Sequence, residues 1–534
     1  MESRSRFNQG RIWHIGAIVA AFAALFLLSL AFRPGREVLQ TPLLEDSFYV
    51  FTVAQHIAQG QGIVIQGNTW TNGFQPLFTF LCVPAFLLAR QDKILAIRFV
   101  FGLSWLLYLL AAYWVAEIGS DFATDSPEDS RKLKWAAMAL YLGAPSVFID
   151  HFNGLETGCL LAVYAGAWRF YQLRGVVRKR DTILFGFLLG LLVLARIDAV
   201  FLVIIICLHQ LFDAAIPSWQ TRMGKFLTLA GLSFLVSSPW WFYNLLVFHS
   251  IMPTSGKAEA QLGLSAHKLK SMASAWDRNL FPWFYLNGHE WPYGLPWGSV
   301  VRLLIMIACL GWVYHGYRHR TDGEISLRTF ATETNKRTLQ FAQWLILSLA
   351  ILACWYTYTS GAAYFYTRYL APLTIIGVLI GIQLYSMVFR WNPRIAAAGI
   401  TGLALPVLVV TAMLWRADRL FAGAPHSYLL EQVPLVEKYV PQDAWVAAGQ
   451  SGTLGFFRPR VVNVDGKVNG DALLFQHSMP AYLRQIRVNY LCDWPGEIRR
   501  YLGDRPEKNG WRLIASGIYF QIWKFDGESD HAVR

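Results

Sequence analysis

Between Glu45 and Leu77 the chain reads EDSFYVFTVAQHIAQGQGIVIQGNTWTNGFQPL, which sets two adjacent carboxylates, a short amphipathic helix and a Gly/Asn loop just after the first apolar run. A segment that only joins two hydrophobic runs has no physical need of so much specified polar structure, so this stretch is the first candidate for an active site. A carboxylate placed there is suited to take a proton from a sugar hydroxyl. An Arg or Lys opposite it is suited to hold a phosphate, bidentately in the Arg case. Such partners occur in separate segments: His56 and Asn72 in the same loop, Asp150, His151, Asn153 and Glu156 further on, then Arg196 and Asp198, Lys257, and Tyr364, Tyr366 and Arg368. If they converge on one face, the inventory fits group transfer from a lipid phosphate.

Each candidate has a plainer reading beside the chemical one. Asp46 is either a catalytic base, with Glu45 beside it as a substrate contact, or the N-cap of the helix whose apolar positions are Phe48, Tyr49, Val53 and Ile57. Gly60, Gly62, Gly67 and Thr71-Asn72-Gly73 either let the backbone pass close to a ligand or simply make a tight loop. Glu156, in HFNGLET, is a second site carboxylate or a helix cap, and Asp150 and His151 compete for the same role. Arg196 and Asp198 bind a phosphate or pair with each other. Lys257 and Arg368 are alternative phosphate ligands or interfacial snorkelling residues. Trp240, Trp241 and Tyr243 fit an aromatic belt better than a sugar platform, and Asp465, in VVNVDGKVNG, is most simply a turn residue after a strand.

The elements that must position these residues belong to a membrane. Of 534 residues 55% are apolar and only 15% charged, too little polar surface for a soluble globule. The net charge of +13 does not indicate nucleic acid, because the Lys and Arg residues stand in short clusters between apolar runs, as orientation signals do. Five of the six cysteines lie in apolar segments without CxxC spacing, so neither a disulfide framework nor a metal cluster follows. No cofactor is called for, although Glu45, Asp46, Asp150 and Glu156 would offer oxygen ligands to a divalent ion if they met.

Apolar runs at 12–32, 95–118, 135–150, 155–172, 182–196, 199–213, 226–248, 300–316, 338–358, 367–389 and 394–415 are the candidate spans, about eleven in all. The first is an uncleaved anchor with residues 1–11 cytoplasmic. Eleven crossings then bring Arg4/Arg6/Arg11, Arg131/Lys132/Lys134, Arg174/Arg178/Lys179/Arg180, Arg222/Lys225, Arg318/Arg320/Arg328/Lys336/Arg337 and Arg390/Arg394 to the inner side. Phe74 to Ala89 is apolar too, but a crossing there would put the Arg174 to Arg180 cluster outside. Its sixteen residues reach only about 24 Å and include Pro76 and Pro84, so a helix lying at the interface is expected.

Residues 33–94 are thus one exoplasmic loop. The spans 182–196 and 199–213 meet outside at Arg196 and Asp198, which suggests a cavity recessed into the outer leaflet. The predicted architecture is an all-α polytopic membrane protein, domain 1–415, in the plasma (inner) membrane, followed by a small exoplasmic α/β domain at 416–534. In that tail a helix is expected near Leu435–Val440, with strands at Trp445–Ala448, Val461–Val464 and Ile518–Phe525.

In pattern and order these residues resemble the glycosyltransferase C superfamily, polytopic enzymes that take sugars from polyprenyl-phosphate donors at the exoplasmic face. Glu45-Asp46 resembles the acidic motif of that superfamily's first loop. Thr71-Asn72-Gly73-Phe74-Gln75-Pro76-Leu77 resembles the TNGxHPL segment of a bacterial branch, with Gln75 where that branch has His. Asn153-Gly154-Leu155-Glu156-Thr157, Arg196-Ile197-Asp198 and Pro253-Thr254-Ser255-Gly256-Lys257 are similar to it as well. The resemblance implies that Asp46 activates an acceptor, that Glu156 is the second exoplasmic acid, and that transfer to a glycan, lipid or protein acceptor inverts the sugar. A transporter or flippase of a lipid-linked saccharide is the alternative, since charges in a membrane cavity would serve it too, although no paired, broken spans in two related halves are present. A non-enzymatic assembly subunit ranks third.

Overall fold

The computed structural model describes residues 2–66, 69–124, 126–286, 289–290, 332–415 and 428–527. The expected span 300–316, with Arg318, Arg320 and Arg328, lies outside the described residues. The first apolar run forms α1 (Glu2–Leu28), and the following loop carries α2 (Ser47–Ala58) and α3 (Pro76–Ala89) before α4 (Lys93–Ala123). Next come α5 (Pro127–Leu142), α6 (Pro145–Phe152), α7 (Thr157–Arg174), α8 (Lys179–Ala195), α9 (Val200–Phe212) and α10 (Trp219–Phe248). A short α11 (Thr254–Ala258) and α12 (Ala266–Leu280) precede a two-residue ladder of β1 (Tyr285–Leu286) and β2 (His289–Glu290). Beyond it lie α13 (Glu333–Thr359), α14 (Tyr366–Tyr369), α15 (Leu373–Trp391), α16 (Pro393–Gly402) and α17 (Ala404–Trp415).

Five helical segments among the described residues are long and apolar enough to cross a membrane: His14–Phe32, Lys93–Ala123, Glu333–Thr359, Leu373–Trp391 and Pro393–Trp415. They make the chain a multi-pass membrane protein. Several expected spans are shorter or divided. The run 135–150 splits between α5 and α6, because Pro145 has no N–H to continue the helix and holds Ala144 extended at φ −90°, ψ 113°. The run 182–213 breaks at Arg196, as its charges suggested, with a short 3-10 turn at Ile197–Ala199 between α8 and α9. α3, of 14 residues, reaches about 21 Å, well short of a bilayer core, and leaves Phe80, Leu81, Leu87 and Leu88 exposed.

One continuous apolar core joins α1, α4, α5, α7, α8, α9, α13 and α15. At its centre Trp168 of α7 stacks on Phe341 of α13, ring centroids 5.0 Å apart. The polar groups sort to opposite ends of the bundle. At the far end of α4, Arg169 and Lys134 pair with Glu117, and Arg390 Nη2 donates to the Ala123 carbonyl at 2.7 Å. At its near end Lys93 donates to the Phe456 carbonyl of the tail.

The tail is a small α/β unit. Its five-stranded sheet has the order β4-β3-β5-β7-β6, built from β3 (Val446–Ala448), β4 (Val461–Asn463), β5 (Tyr490–Asp493), β6 (Trp511–Ser516) and β7 (Gln521–Phe525). β3 runs parallel to β4 and β5, whereas β7 is antiparallel to β5 and β6. Period-two alternation gives each face a core: Ala447, Leu491 and Trp523 on one, Val446, Ala448, Cys492 and Ile522 on the other. The helices are α18 (Val433–Tyr439), α19 (Gly452–Phe457), α20 (Gly470–Leu474), α21 (Met479–Gln485) and α22 (Pro495–Leu502). The expected helix and strands of the tail all form within a few residues of their predicted positions; β5 and β6 were not anticipated.

Candidate active site

Where the helix bundle meets the tail there is a cavity of about 650 Å³. Its walls come from the first loop, the turn before α7, the α8–α9 break, α10, the segment through α11, the end of α13, α14 and the tail loop after β4. The convergence that the sequence left conditional therefore occurs for Asp46, Glu156, Arg196, Asp198 and Arg368.

Asp46 immediately precedes α2 but makes no capping hydrogen bond, so its half-buried carboxylate is not tied to the amides of its own helix and lines the cavity instead. Glu156 likewise precedes α7 without capping it. Gly154, at φ +76°, makes the turn that aims it, and a Cβ there would run into Leu43, Ser47 and Phe51 of the first loop. Glu156 accepts a hydrogen bond from Arg196 Nη1 at 2.9 Å, while Arg196 Nε donates to Asp198 Oδ1 at 3.0 Å and its Nη2 pairs with the same carboxylate. The Tyr356 hydroxyl of α13 donates to Asp198 Oδ2 at 3.0 Å and completes the network. Arg196 and Asp198 thus do pair with each other, and Glu156 joins them.

Arg368, on α14, is held more loosely. Its Nε is 4.0 Å from Glu156 Oε1, its guanidinium lies over the Phe365 ring at 4.4 Å, and its Nε has no hydrogen-bond partner among the described residues. The other predicted contacts lie outside the cavity walls. Glu45 turns away from Asp46 into the tail, where its carboxylate accepts from the Thr453 amide at 2.8 Å and from the Thr453 hydroxyl. Burial, only partly offset by these bonds and reinforced by Asp46, pushes the Glu45 carboxyl up to about 7. His151 is in the core, its Nε2 3.0 Å from the Tyr141 hydroxyl. Tyr366 is buried and donates to the carbonyls of Tyr356 and Ser360, both at 3.1 Å. Lys257 is exposed, although Ser255, Gly256 and Glu259 around it line the cavity. Asn72 holds chain segments together: its Oδ1 accepts from the Thr254 amide at 3.0 Å and its Nδ2 donates to Asn244 at 2.7 Å.

Glu45, Asp46, Asp150 and Glu156 do not gather into one oxygen-ligand cluster: Glu45 is taken by Thr453 and Asp150 is buried in α6. Among the described residues no group of three or more His, Cys, Asp or Glu side chains is set to hold a metal.

Two wall residues, Lys467 and Glu259, were not singled out from the sequence, and a third, Gln75, was noted only where the bacterial branch has His. Lys467, in the loop after β4, has its ammonium 3.2 Å from Glu259 Oε1 and 4.0 Å from Asp465 Oδ2. Glu259 is placed by the pairing of Ala260 with Ser360, which brings the Gly361 amide to the Glu259 carbonyl at 2.8 Å. Gln75 accepts the Ile197 amide through Oε1 at 3.2 Å and so braces the α8–α9 break. The VDGK turn was the one legible signal for Lys467, and a turn residue gives no sign of which surface it faces.

No protein-family model matches the chain, and no curated protein is similar to it in sequence. Its fold is similar to that of ArnT from Cupriavidus metallidurans in the apo state, with 12% identity and a TM-score of 0.50 over 95% of this chain and 97% of that one. It is also similar to the Archaeoglobus fulgidus oligosaccharyltransferase in the apo form, with 13% identity and a TM-score of 0.50 over 97% of this chain and 75% of that one. Those two proteins are members of the glycosyltransferase C superfamily, and this chain is similar to both in fold.

Proposed function

We propose that the protein is an integral-membrane glycosyltransferase that moves a sugar from a polyprenyl-phosphate donor to a hydroxyl of an exoplasmic glycan, lipid or protein acceptor, with inversion. The observation that carries this reading is the presence, in one cavity, of an uncapped Asp46 carboxylate and an Arg368 guanidinium whose Nε has no hydrogen-bond partner among the described residues. Asp46 takes the proton of the acceptor hydroxyl as its oxygen attacks the anomeric carbon. The bond from that carbon to the phosphate oxygen breaks, and the departing polyprenyl phosphate keeps its electron pair and negative charge beside Arg368. Glu156, fixed by Arg196, stands close enough to orient Arg368.

A second, apolar cavity of about 520 Å³ between α8, α9 and α10 shares Val200, Trp241 and Ile251 with the first. A donor whose phosphate sits at Arg368 would find there an apolar surface for its isoprenoid chain. The shared fold supports the same class, since ArnT and the archaeal oligosaccharyltransferase are both glycosyltransferases. The cavity, the first loop and the tail would then lie on the exoplasmic side, with the N-terminus cytoplasmic.

The test is transfer by purified wild type and by Asp46→Asn, using a panel of radiolabelled polyprenyl-phosphate sugars and a host membrane extract. Wild type should consume one donor, and the Asn variant should be slower by about 10²–10⁴-fold, the usual contribution of a positioned base. Full activity in the variant would overturn the role of Asp46. Folded wild type that releases sugar from no donor, yet moves a lipid-linked saccharide across vesicles, would replace the transferase with a transporter.

A further inference from the structure

The tail loop after β4 is seated in the cavity wall by two motifs that have no part in the reaction just described. Thr254 Oγ1 stands 2.9 Å from both Asn72 Oδ1 and the Lys467 carbonyl oxygen. Gly73 passes so close to the same carbonyl that a Cβ there would run into it, which reserves the position for glycine. On the tail side the Lys467 amide donates to Asp465 Oδ1 at 2.8 Å, and Gly466 turns the chain at φ +84°. Glu259 is fixed from the other direction: its amide donates to the Ser255 carbonyl at 3.2 Å, and its own carbonyl accepts the Gly361 amide at 2.8 Å. Two backbones held in this way bring a lysine of the tail and a glutamate of the membrane domain together in the cavity wall.

The pair is incomplete as a hydrogen-bonding unit. Lys467 Nζ approaches Glu259 Oε1 at 3.2 Å, and the Tyr364 hydroxyl donates to the same oxygen at 3.3 Å. Both contacts fall on Oε1, so Glu259 Oε2 has no partner among the described residues. An ammonium has three N–H donors, of which Glu259 takes at most one, and Asp465 Oδ2, at 4.0 Å, is too far to take a second. The two side chains are mostly shielded, 14% and 22% exposed, yet both line the cavity. An open carboxylate oxygen beside open N–H donors matches a pair of neighbouring hydroxyls, one donating to the oxygen and the other accepting from the nitrogen.

The position of the pair tells which hydroxyls these are. The centroid of the Phe365 ring, also in the wall, lies 5.5 Å from Lys467 Nζ and 4.4 Å from the guanidinium carbon of Arg368. The pair therefore stands one aromatic ring away from the cation that holds the donor phosphate, and the group bonded to that phosphate is the sugar. Charge narrows the class. Lys467 faces two carboxylates, Glu259 and Asp465, so this part of the wall is negative on balance and repels a carboxylate on the sugar, whereas hydroxyls carry no charge to repel.

We propose that Glu259 and Lys467, the latter supplied by the tail domain, form the subsite that binds the hydroxyls of the donor sugar, and that this sugar carries no carboxylate. The proposal rests on the reading of Arg368 as the phosphate ligand of a glycosyl donor and deepens it by naming the sugar class. It makes the tail part of the donor site.

The experiment uses the full-length purified wild type, Glu259→Gln, Lys467→Met and the double variant, which leaves neither member of the pair as a charge without its partner. Dissociation constants are measured in detergent, without acceptor, for polyprenyl-phosphate glucose, mannose and galactose, for the corresponding uronic acids, and for the methyl diester of polyprenyl phosphate, which has the same phosphate charge but no sugar. Wild type should bind at least one neutral donor more tightly than the methyl diester and more tightly than the matching uronic acid; a preference for the uronic acid overturns the proposal without recourse to any variant. The double variant should bind that neutral donor about tenfold more weakly, as for loss of a hydrogen bond to a charged group. Its affinity for the methyl diester should not change, which also shows that it is folded. Glu259→Gln should narrow the gap between neutral donor and uronic acid, and Lys467→Met should widen it. An unchanged neutral-donor affinity in the double variant overturns the subsite, and so does an equal loss for the methyl diester, which would make Lys467 a phosphate ligand. Transfer by the same wild-type preparation separates this failure from that of the glycosyltransferase reading: a wild type that transfers no sugar refutes the transferase, while the affinities still decide whether the pair holds a sugar.

Discussion

The two sides of the cavity hold similar residues in opposite conditions. On one, Glu156, Arg196, Asp198 and Tyr356 satisfy one another through contacts near 3 Å, and Arg196 and Glu156 are 2% and 5% exposed. On the other, Asp46 is uncapped and half-buried, and Arg368 has an Nε without a hydrogen-bond partner among the described residues and only a 4.0 Å approach to Glu156. A desolvated network whose members already hold one another serves first to fix geometry. Groups with unfilled hydrogen-bonding capacity are the ones available to a ligand. On the proposed function, the comparison divides the charged residues into a frame and a reaction face.

The frame should fail as structure before it fails as chemistry. Arg196→Gln leaves Glu156 and Asp198 facing each other without their cation in a buried setting, and losing one partner of such a pair costs about 3–5 kcal/mol. The variant should show a large fall in Tm in detergent and poor recovery from membranes. A fully stable Arg196→Gln protein with lost donor binding would reverse the division and make Arg196 the phosphate ligand.

Arg368→Gln sharpens the contrast from the other side. Its guanidinium closes no network, so Tm should stay within a degree or two, while kcat/KM for the polyprenyl-phosphate sugar falls about 10²–10³-fold, as for loss of one group stabilising developing negative charge. Thermal melting and transfer rate measured on the same preparation check both halves.

This division was only partly open to reading from the sequence. Apolar runs separated by basic clusters announced a multi-pass membrane protein, and the acidic pair after the first run pointed to a loop whose Asp46 lines the cavity. The Arg196–Asp198 interruption marked a true break between α8 and α9. What the sequence could not convey is which way neighbouring side chains turn. Glu45 and Asp46 are adjacent, yet one enters the tail and the other the cavity, because Asp46 stands at the turn into α2 while Glu45 finds Thr453. Lys257 and Glu259, two residues apart, exchange roles in the same way: the lysine is exposed, and it is the glutamate that lines the cavity. Lys467 is some two hundred residues from its nearest partner in the site and depends on tertiary docking that no local pattern encodes.

Glu45 offers a test of that docking by pH. Its carboxyl is raised to about 7 from an ordinary value of 4.5, chiefly by burial, so the protonated form is the one the docked tail favours. The resulting stabilisation is complete below about 4.5 and is lost as pH rises through about 7, amounting to about 3 kcal/mol by linkage. The Tm of wild type should therefore fall between pH 5 and pH 8 by more than that of Glu45→Gln, whose amide mimics the protonated acid toward Thr453. Parallel pH profiles for the two proteins would mean that Glu45 titrates normally and that the tail is held by other contacts.

The smallest effect expected is also the most discriminating for the frame. Tyr356→Phe removes only the hydroxyl that donates to Asp198 Oδ2, leaving the ring stacked on Tyr369 with centroids 4.1 Å apart and the Arg196 bonds intact. Asp198 keeps two contacts from Arg196, so no charge is orphaned, and the loss should be that of one hydrogen bond to a charged acceptor, about 1–2 kcal/mol. Because the network orients Glu156 and Glu156 faces Arg368, activity should fall less than tenfold, mostly in kcat. A loss in Tyr356→Phe as large as that in Asp46→Asn would place Tyr356 on the reaction face, and the boundary between the two sides of the cavity would have to move from Asp198 to the tyrosine.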